Sequence, residues 1–273
     1  MPTANTLAVA LIAIITPVSL AGDPSFCPPN LTISPSPLGT SYFGRSIDFD
    51  AGVVAVGDSG AEDDRGTVAI SSFPLTGSSE WQDTQWVDGL SQGEGFGTDI
   101  AVCGSTKLLV GAPNYHLGPV VDLITKSNLG IWSRQSSLLP PIGWGFDPQM
   151  YLGLSGSSNL AAIKMRADDT NHAGVGLYKY DHSTDNFVHE QTIYIGPTNW
   201  FSIELEGLTL IIGNPEISNV LIYNYNLADL DWQFKISWYG TSNAKTGQVV
   251  STDGRDVAFV EGGSYTTGDP ESV

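Results

Sequence analysis

Residues Tyr42 to Gly60 read YFGRSIDFDAGVVAVGDSG. An aromatic-glycine pair opens the stretch, an alternating run follows, and a turn at Ala51-Gly52 leads to a second apolar run ending in glycine beside an acid. Period-two alternation bounded by Gly and Asp reads as two antiparallel strands joined by a tight turn. Alone, the stretch is any hairpin, and its meaning depends on whether the chain repeats it.

The chain does repeat it. Phe43-Gly44 returns at Phe96-Gly97, and single phenylalanines continue the series at Phe146 and Phe201, at intervals of 53, 50 and 55 residues. A second landmark advances in step: VVAVGDSG from Val53, KLLVGAPN from Lys107, LAAIKMRADD from Leu160, TLIIGNPE from Thr209 and DVAFVEGG from Asp256. A third, an aromatic beginning another strand, falls at Trp81, Trp132, Phe187 and Trp232. Between the second and third lies one more β-like segment, starting at Gly66, Pro119, Gly174 and Asn219.

Each unit therefore holds four short strands. Such sheets, repeated about every fifty residues, suit propeller blades, because one small sheet cannot bury both faces and must stack on its neighbours. A sandwich has no reason to keep three landmarks in phase. The expected fold is all-β, a β-propeller of about five recognisable four-stranded units, the fifth incomplete. Within the first unit, RSIDFD should lie near the centre, VVAVG beside it, GTVAIS farther out and WQDTQWV at the rim. Gly57, Gly111 and Gly213 fall at the crowded axial end, where a missing Cβ permits close backbone approach; Lys164 and Glu261 take that place in the third and fifth units. The aromatics Trp81, Trp132, Phe187 and Trp232 are expected to fill the widening space between blades.

FGRSIDF with VVAVG, and FGTDIAV with LLVGAP, resemble the FG-GAP family, the repeats that form the β-propeller of integrin α-chains and occur in many exported microbial proteins. The resemblance spans roughly residues 31 to 273 and is sharpest at Phe96-Gly97 followed by Gly111-Ala112-Pro113. It implies a propeller, usually of seven blades, and a role in adhesion or extracellular recognition. Family calcium sites use an Asp-x-Asp-x-Asp loop between the first two strands of a blade. Here that connection is DFDAG, with only Asp48 and Asp50, so the family metal loop does not carry over.

Composition supports a folded β protein rich in turns: 273 residues, 41% hydrophobic, with 31 Gly and 16 Pro. The formal charge of −18 repels nucleic acid phosphates and weighs against a nucleic acid partner. Residues 1–21 carry an apolar run from Leu7 to Ile15 and the small-residue pattern Ser19-Leu20-Ala21, read as a secretory signal cleaved after Ala21, with an uncleaved anchor as the alternative. No later run is long enough to span a bilayer, which takes about 18 apolar residues. The mature chain is thus expected to be secreted, with an N-terminal extension over 22–41 and repeats over 42–273. In the extension, Leu31 to Ser36 could supply an outer strand closing the ring. Cys27 and Cys103 form one disulfide or remain two buried thiols, and Asn30-Leu31-Thr32 fits a glycosylation acceptor.

The densest candidate for chemistry is GDSGAEDDRG, where Asp58, Glu62, Asp63 and Asp64 could offer oxygen ligands to calcium; the alternative is a solvated acidic turn partly paired with Arg65. Calcium is the only cofactor the sequence suggests. His116, His172, His182 and His189 lie on separate segments without a metal-binding spacing, although His172 and His182 could meet across a hairpin. No serine elbow with an ordered acid and histidine occurs, and the aligned central strands offer Asp48, Asp99 and Glu204 in only some units. The expected function is a noncatalytic scaffold whose loops bind an extracellular protein or glycan. A hydrolase or lyase with its site at the central opening, and a purely structural fragment, are the alternatives.

Overall fold

The structure, a computed structural model, describes residues 31–33, 42–73, 81–114, 118–147, 155–157, 159–167, 172–198, 200–240, 245–252 and 257–260. The first blade pairs β1 (Phe43–Asp50), β2 (Val53–Asp58), β3 (Thr67–Ser72) and β4 (Gln85–Asp88) in that order, with a four-residue helical turn, α1 (Ala61–Asp64), between β2 and β3. The second pairs β5 (Asp99–Cys103), β6 (Lys107–Ala112), β7 (Val120–Lys126) and β8 (Trp132–Ser137). In the third, β9 (Trp144–Phe146) and β10 (Ser155–Ser157) both pair with β11 (Leu160–Ala167), so the innermost strand is in two pieces, followed by β12 (His172–Asp181) and β13 (Asn186–Pro197). The fourth pairs β14 (Ser202–Glu206), β15 (Thr209–Asn214), β16 (Asn219–Asn226) and β17 (Asp231–Tyr239). All neighbours in these sheets are antiparallel.

Among the described residues four complete blades are present, not five. The fifth unit contributes a two-stranded hairpin among the described residues, β18 (Val250–Thr252) with β19 (Val257–Phe259). The innermost strands β1, β5, β10, β14 and β18 stand side by side in succession, which gives the propeller arrangement.

The middle strands are apolar on both faces because each blade is covered on both sides. All six residues of β2 are buried, as are all six of β3. Val53, Ala55, Val68, Ile70 and Val87 of the first blade pack on Ile100, Val102, Leu108, Val110 and Trp132 of the second. Ala101, Leu109, Val121 and Leu123 of the second pack on Ile163, Met165, Tyr178 and Phe187 of the third, and the pattern repeats between the third and fourth around Phe201 and Trp232. Trp132, Phe187 and Trp232 are core residues, as expected, and Trp81 packs on the first blade. At the rim, Gln85 Oε1 accepts from the Trp132 amide at 3.0 Å, and Gln191 Oε1 accepts from the Trp232 amide at 2.9 Å. Leu31 and Ile33 lie on Val54, Val56 and Ala69 of the first blade, with no strand assigned to them; residues 34–41, the rest of the extension and residues 1–21, read above as a signal, lie outside the described residues.

At the axial end, the blades touch backbone to backbone. A Cβ on Gly57 would collide with the Gly97 carbonyl, to which Ser46 Oγ donates at 2.8 Å. A Cβ on Gly213 would collide with the Gly247 carbonyl, to which Ser202 Oγ donates at 2.9 Å. Gly97 and Gly247 have φ of 85° and 84°, the left-handed region that glycine tolerates. Gly57→Ala is expected to destabilise the fold by about 1–3 kcal/mol through overpacking, with Ser46→Ala costing about 1 kcal/mol through its lost hydrogen bond. Urea unfolding checks both, and a Gly57→Ala midpoint equal to wild type refutes the contact.

Candidate functional site

Two pairs of carboxylates sit on innermost strands near the axis. Ser46 and Ser202 play the same part in their blades, so Asp48 and Asp50 of β1 correspond to Glu204 and Glu206 of β14. In the first blade the acids act as bolts into the second. Asp48 Oδ2 accepts from the Val102 amide at 2.6 Å, and Asp50 Oδ2 from the Gly104 amide at 2.7 Å, while Asp48 Oδ1 takes the Phe49 amide at 2.8 Å. Burial raises the Asp48 pKa above the ordinary carboxylate value, with hydrogen bonds from Val102 and Phe49 opposing it and the Asp50 charge adding to it. Glu204 is pushed up to about 7, first by burial and then by the negative charges of Asp48 and Glu206. Asp99 does not join this set. It pairs with Gly111, the register that Ser202 holds opposite Gly213, and Ala101 takes the place of Asp48.

Two buried ionic clusters lie elsewhere. In the third blade Lys164 occupies the glycine position, facing Asp147, whose Oδ2 lies 3.2 Å from Lys164 Nζ and 3.6 Å from Arg166. Lys164 Nζ also stands 4.8 Å from the centroid of the Phe201 ring. Burial lowers the Lys164 pKa, and Asp147 counters part of that shift. Between the first and second blades, Arg134 lies 3.5 Å from Glu94 and 3.2 Å from Asp122 and stacks over Phe96 at 4.8 Å. Burial raises the Asp122 pKa against the hydrogen bond from Ser137 and the Arg134 charge. Sequence reading missed Asp147, Glu94, Asp122 and Arg134, since their partners are 12 to 40 residues away; only the departure from glycine at Lys164 signalled a polar site.

The described carboxylates of the acidic loop differ in burial. Asp58 is buried at the end of β2, whereas the side chains of Asp63 and Asp64 are exposed; the Glu62 side chain lies outside the described set. What the loop offers is backbone: the carbonyls of Asp63, Asp64 and Arg65 accept from the amides of Gly93, Gly95 and Phe96, seating the connection into the second blade. No group of three or more His, Cys, Asp or Glu placed to hold a metal ion occurs among the described residues.

His172 and His182 do not meet, because they flank opposite ends of β12; His172 instead meets the Tyr194 ring at a tilt and His182 meets the Tyr180 ring edge-on, with centroids 5.2 and 5.1 Å apart. His189 Nε2 lies 2.9 Å from Thr192 Oγ1, and burial lowers its pKa. His116 lies outside the described residues. Cys103 is a free, buried thiol in the core between the second and third blades, and Cys27 and Asn30 lie outside the described residues.

Exposed apolar side chains occur in each connection between blades, and the turns at the opposite end carry others, among them Leu129, Ile131, Leu227 and Leu230. Leu90, Leu139 with Ile142, Trp200 and Tyr239 are all exposed and all lie where an outermost strand hands over to the next innermost strand. Among the described residues, no helix is long and apolar enough to cross a membrane.

No protein-family model matches the chain, and no curated protein matches it. Solved structures similar to it include a functionally unknown protein from Desulfotomaculum acetoxidans, at 14% identity over 73% of this chain and 56% of that one, with a TM-score of 0.45. Hsv2 of Kluyveromyces lactis shares 12% identity over 72% of this chain and 62% of its own, with a TM-score of 0.46. A Lactobacillus plantarum protein shares 10% identity over 70% of this chain and 53% of its own, with a TM-score of 0.45. The chain spans little more than half the length of these proteins.

Because the folded pKa of Glu204 is raised, the native state holds its proton more tightly than the unfolded chain does. That contribution is complete below the unfolded value, near 4.5, and is lost as pH rises through about 7. Glu204→Gln is therefore expected to flatten the fall in stability over this window and to exceed wild type in thermal midpoint at mildly alkaline pH. Parallel melting curves from acid to alkaline pH test this, and an unchanged slope in the variant refutes it.

Proposed function

We propose that the chain is a secreted, noncatalytic recognition scaffold that binds an extracellular protein or glycan through one face of the propeller. The observation that carries this reading is the recurrence of exposed Leu90, Leu139, Ile142, Trp200 and Tyr239 in the blade-to-blade connections at one end of the blades. Large exposed apolar and aromatic side chains on a rigid frame are the raw material of binding surfaces, and loops can change without disturbing the blade cores. The signal-like first 21 residues support export. The engagement of Asp48 and Asp50 with backbone amides supports a structural role for the axial acids rather than catalysis.

A screen of the mature chain against arrays of glycans and matrix proteins should return a ligand whose affinity falls about tenfold or more when Trp200 and Tyr239 are replaced by alanine. Leu227→Ala, on an exposed turn at the opposite end, should bind as wild type does. The reading fails if no ligand emerges, or if both ends contribute equally.

The raised pKa of Glu204 favours one second reading, a hydrolase or lyase using that carboxyl as a general acid or base at the central opening. Activity on a panel of ester and glycoside substrates that disappears in Glu204→Gln would support it; activity that persists in Glu204→Gln, or its absence from wild type, would remove it.

A further inference from the structure

Lys164 breaks the glycine pattern at the axial end of the third blade, and it does so beside a carboxyl group. Asp147 directly follows β9, and its backbone amide donates to the Lys164 carbonyl at 3.4 Å. The two side chains meet across this pairing, with Nζ 3.2 Å from Oδ2 and side-chain exposures of 3% and 0%. Burial lowers the Lys164 pKa and Arg166 lowers it further, while Asp147 and Glu216 oppose them. A desolvated lysine beside a second cation is an activated nitrogen nucleophile. Arg166, 3.6 Å from the same Oδ2, is placed to stabilise negative charge that develops on the carboxyl oxygens. The other ion pairs described here each lack one of these conditions. Arg134 has no nucleophilic amine, and Lys179 with Glu190, 3.8 Å apart, is 38% and 31% exposed and therefore solvated.

We propose that Lys164 and Asp147 condense into an intramolecular isopeptide bond, a covalent clamp within the third blade. An amide C–N bond is about 1.33 Å long, so the structure describes the pair as reactants. The ammonium group gives one proton to the Asp147 carboxylate, which produces an amine and a carboxylic acid. The Nζ lone pair then attacks Cγ, the C–N bond forms, and the carbonyl electron pair moves onto oxygen beside Arg166. Collapse breaks the bond from Cγ to the hydroxyl oxygen, which leaves as water with a second proton from nitrogen; the third proton stays on the amide. No oxidant, metal or outside reactant is consumed. Two effects favour the step: the groups are held in contact rather than meeting by diffusion, and the product removes two charges from a buried site. The bond ties β9 to β11 in the blade whose innermost strand is in two pieces, where β9 and β10 hold only three residues each.

Tryptic peptide mass spectrometry of the purified full chain, folded and then denatured for digestion, tests this. Trypsin cuts after free lysine and arginine, and no other such residue lies between Arg134 and Lys164. Wild type is expected to yield Gln135 to Arg166 as one uncut peptide, lighter by one water than its sequence requires, with no fragment ions from breaks between Asp147 and Lys164. Lys164→Arg keeps the cation without a condensing amine, and its peptide ending at residue 164 is expected at full mass. Lys164→Met, which removes the cation, should give the peptide ending at Arg166 at full mass, and it replaces Lys164→Arg if circular dichroism shows that variant unfolded. Cleavage after Lys164 with no loss of water, in folded wild type, overturns the proposal. So does a loss of water that persists in the variants, which marks a succinimide at an aspartate instead.

Discussion

Everything outward of the axis depends on how closely two backbones approach at Gly57 and Gly97. With no Cβ on Gly57, the carbonyl of Gly97 enters the space a side chain would fill, and Ser46 fixes it by a hydrogen bond of 2.8 Å. Gly97 in turn would bring a Cβ to 2.8 Å from the Thr67 carbonyl. That contact sets the blade separation at the narrow end. At the wide end the separation must grow, and Trp132, Phe187 and Trp232 fill it, with Gln85 and Gln191 tying the outermost strands of neighbouring blades together. The same arrangement returns at Gly213, Gly247 and Ser202, across the boundary between the fourth blade and the hairpin.

The third blade shows what happens when the contact is lost. Lys164 stands where Gly57 and Gly213 stand, and the residue two before Ser202, where Gly247 would be the matching partner one unit on, is Trp200 rather than glycine. Both halves of the close approach are therefore missing together at this boundary. The ammonium group instead lies on the Phe201 ring and pairs with Asp147 on the strand beside it. A buried ion pair is not intrinsically better than apolar packing, because desolvation consumes most of its attraction. For the ammonium, Asp147, the Phe201 face and the charge of Glu216 offset part of that cost, whereas Arg166, a second cation on Asp147, adds to it, and removing Asp147 alone would leave a buried cation.

The repeat and its strand order were legible because both faces of every middle strand are apolar and the glycines mark one end. The order centre to rim in the first unit follows from RSIDFD, VVAVG, GTVAIS and WQDTQWV as read. Two things were not legible. Spacing by phenylalanine aligned Phe146 and Phe201 with Phe96, yet pairing places Phe146 opposite Met165, two positions further along its strand than the counterpart of Phe96. The true match is Trp144-Gly145, an aromatic-glycine pair hidden by the change of aromatic. Blade number was overcounted for a related reason: DVAFVEGG repeats the second strand well, and one good strand does not establish a sheet. The ionic clusters were invisible because contacts such as Arg134 with Glu94 cross from the rim of one blade to the connection that precedes it.

Correct register also changes what the axial acids mean. Aligned by type, Asp48, Asp99 and Glu204 look like a scattered set that a central active site might gather. Aligned by pairing, Asp48 and Asp50 in the first blade match Glu204 and Glu206 in the fourth, and Asp99 drops out. In the first blade the acids reach amides of the neighbouring innermost strand, an arrangement that ties two blades through charge-assisted hydrogen bonds. In the fourth, the side chains are one methylene longer and the neighbour is only a hairpin. Burial first, and then the charges of Asp48 and Glu206, raise the Glu204 pKa to about 7. The acids are placed by the same repeat that places the glycines, so their proximity follows from blade geometry before any chemistry is asked of them.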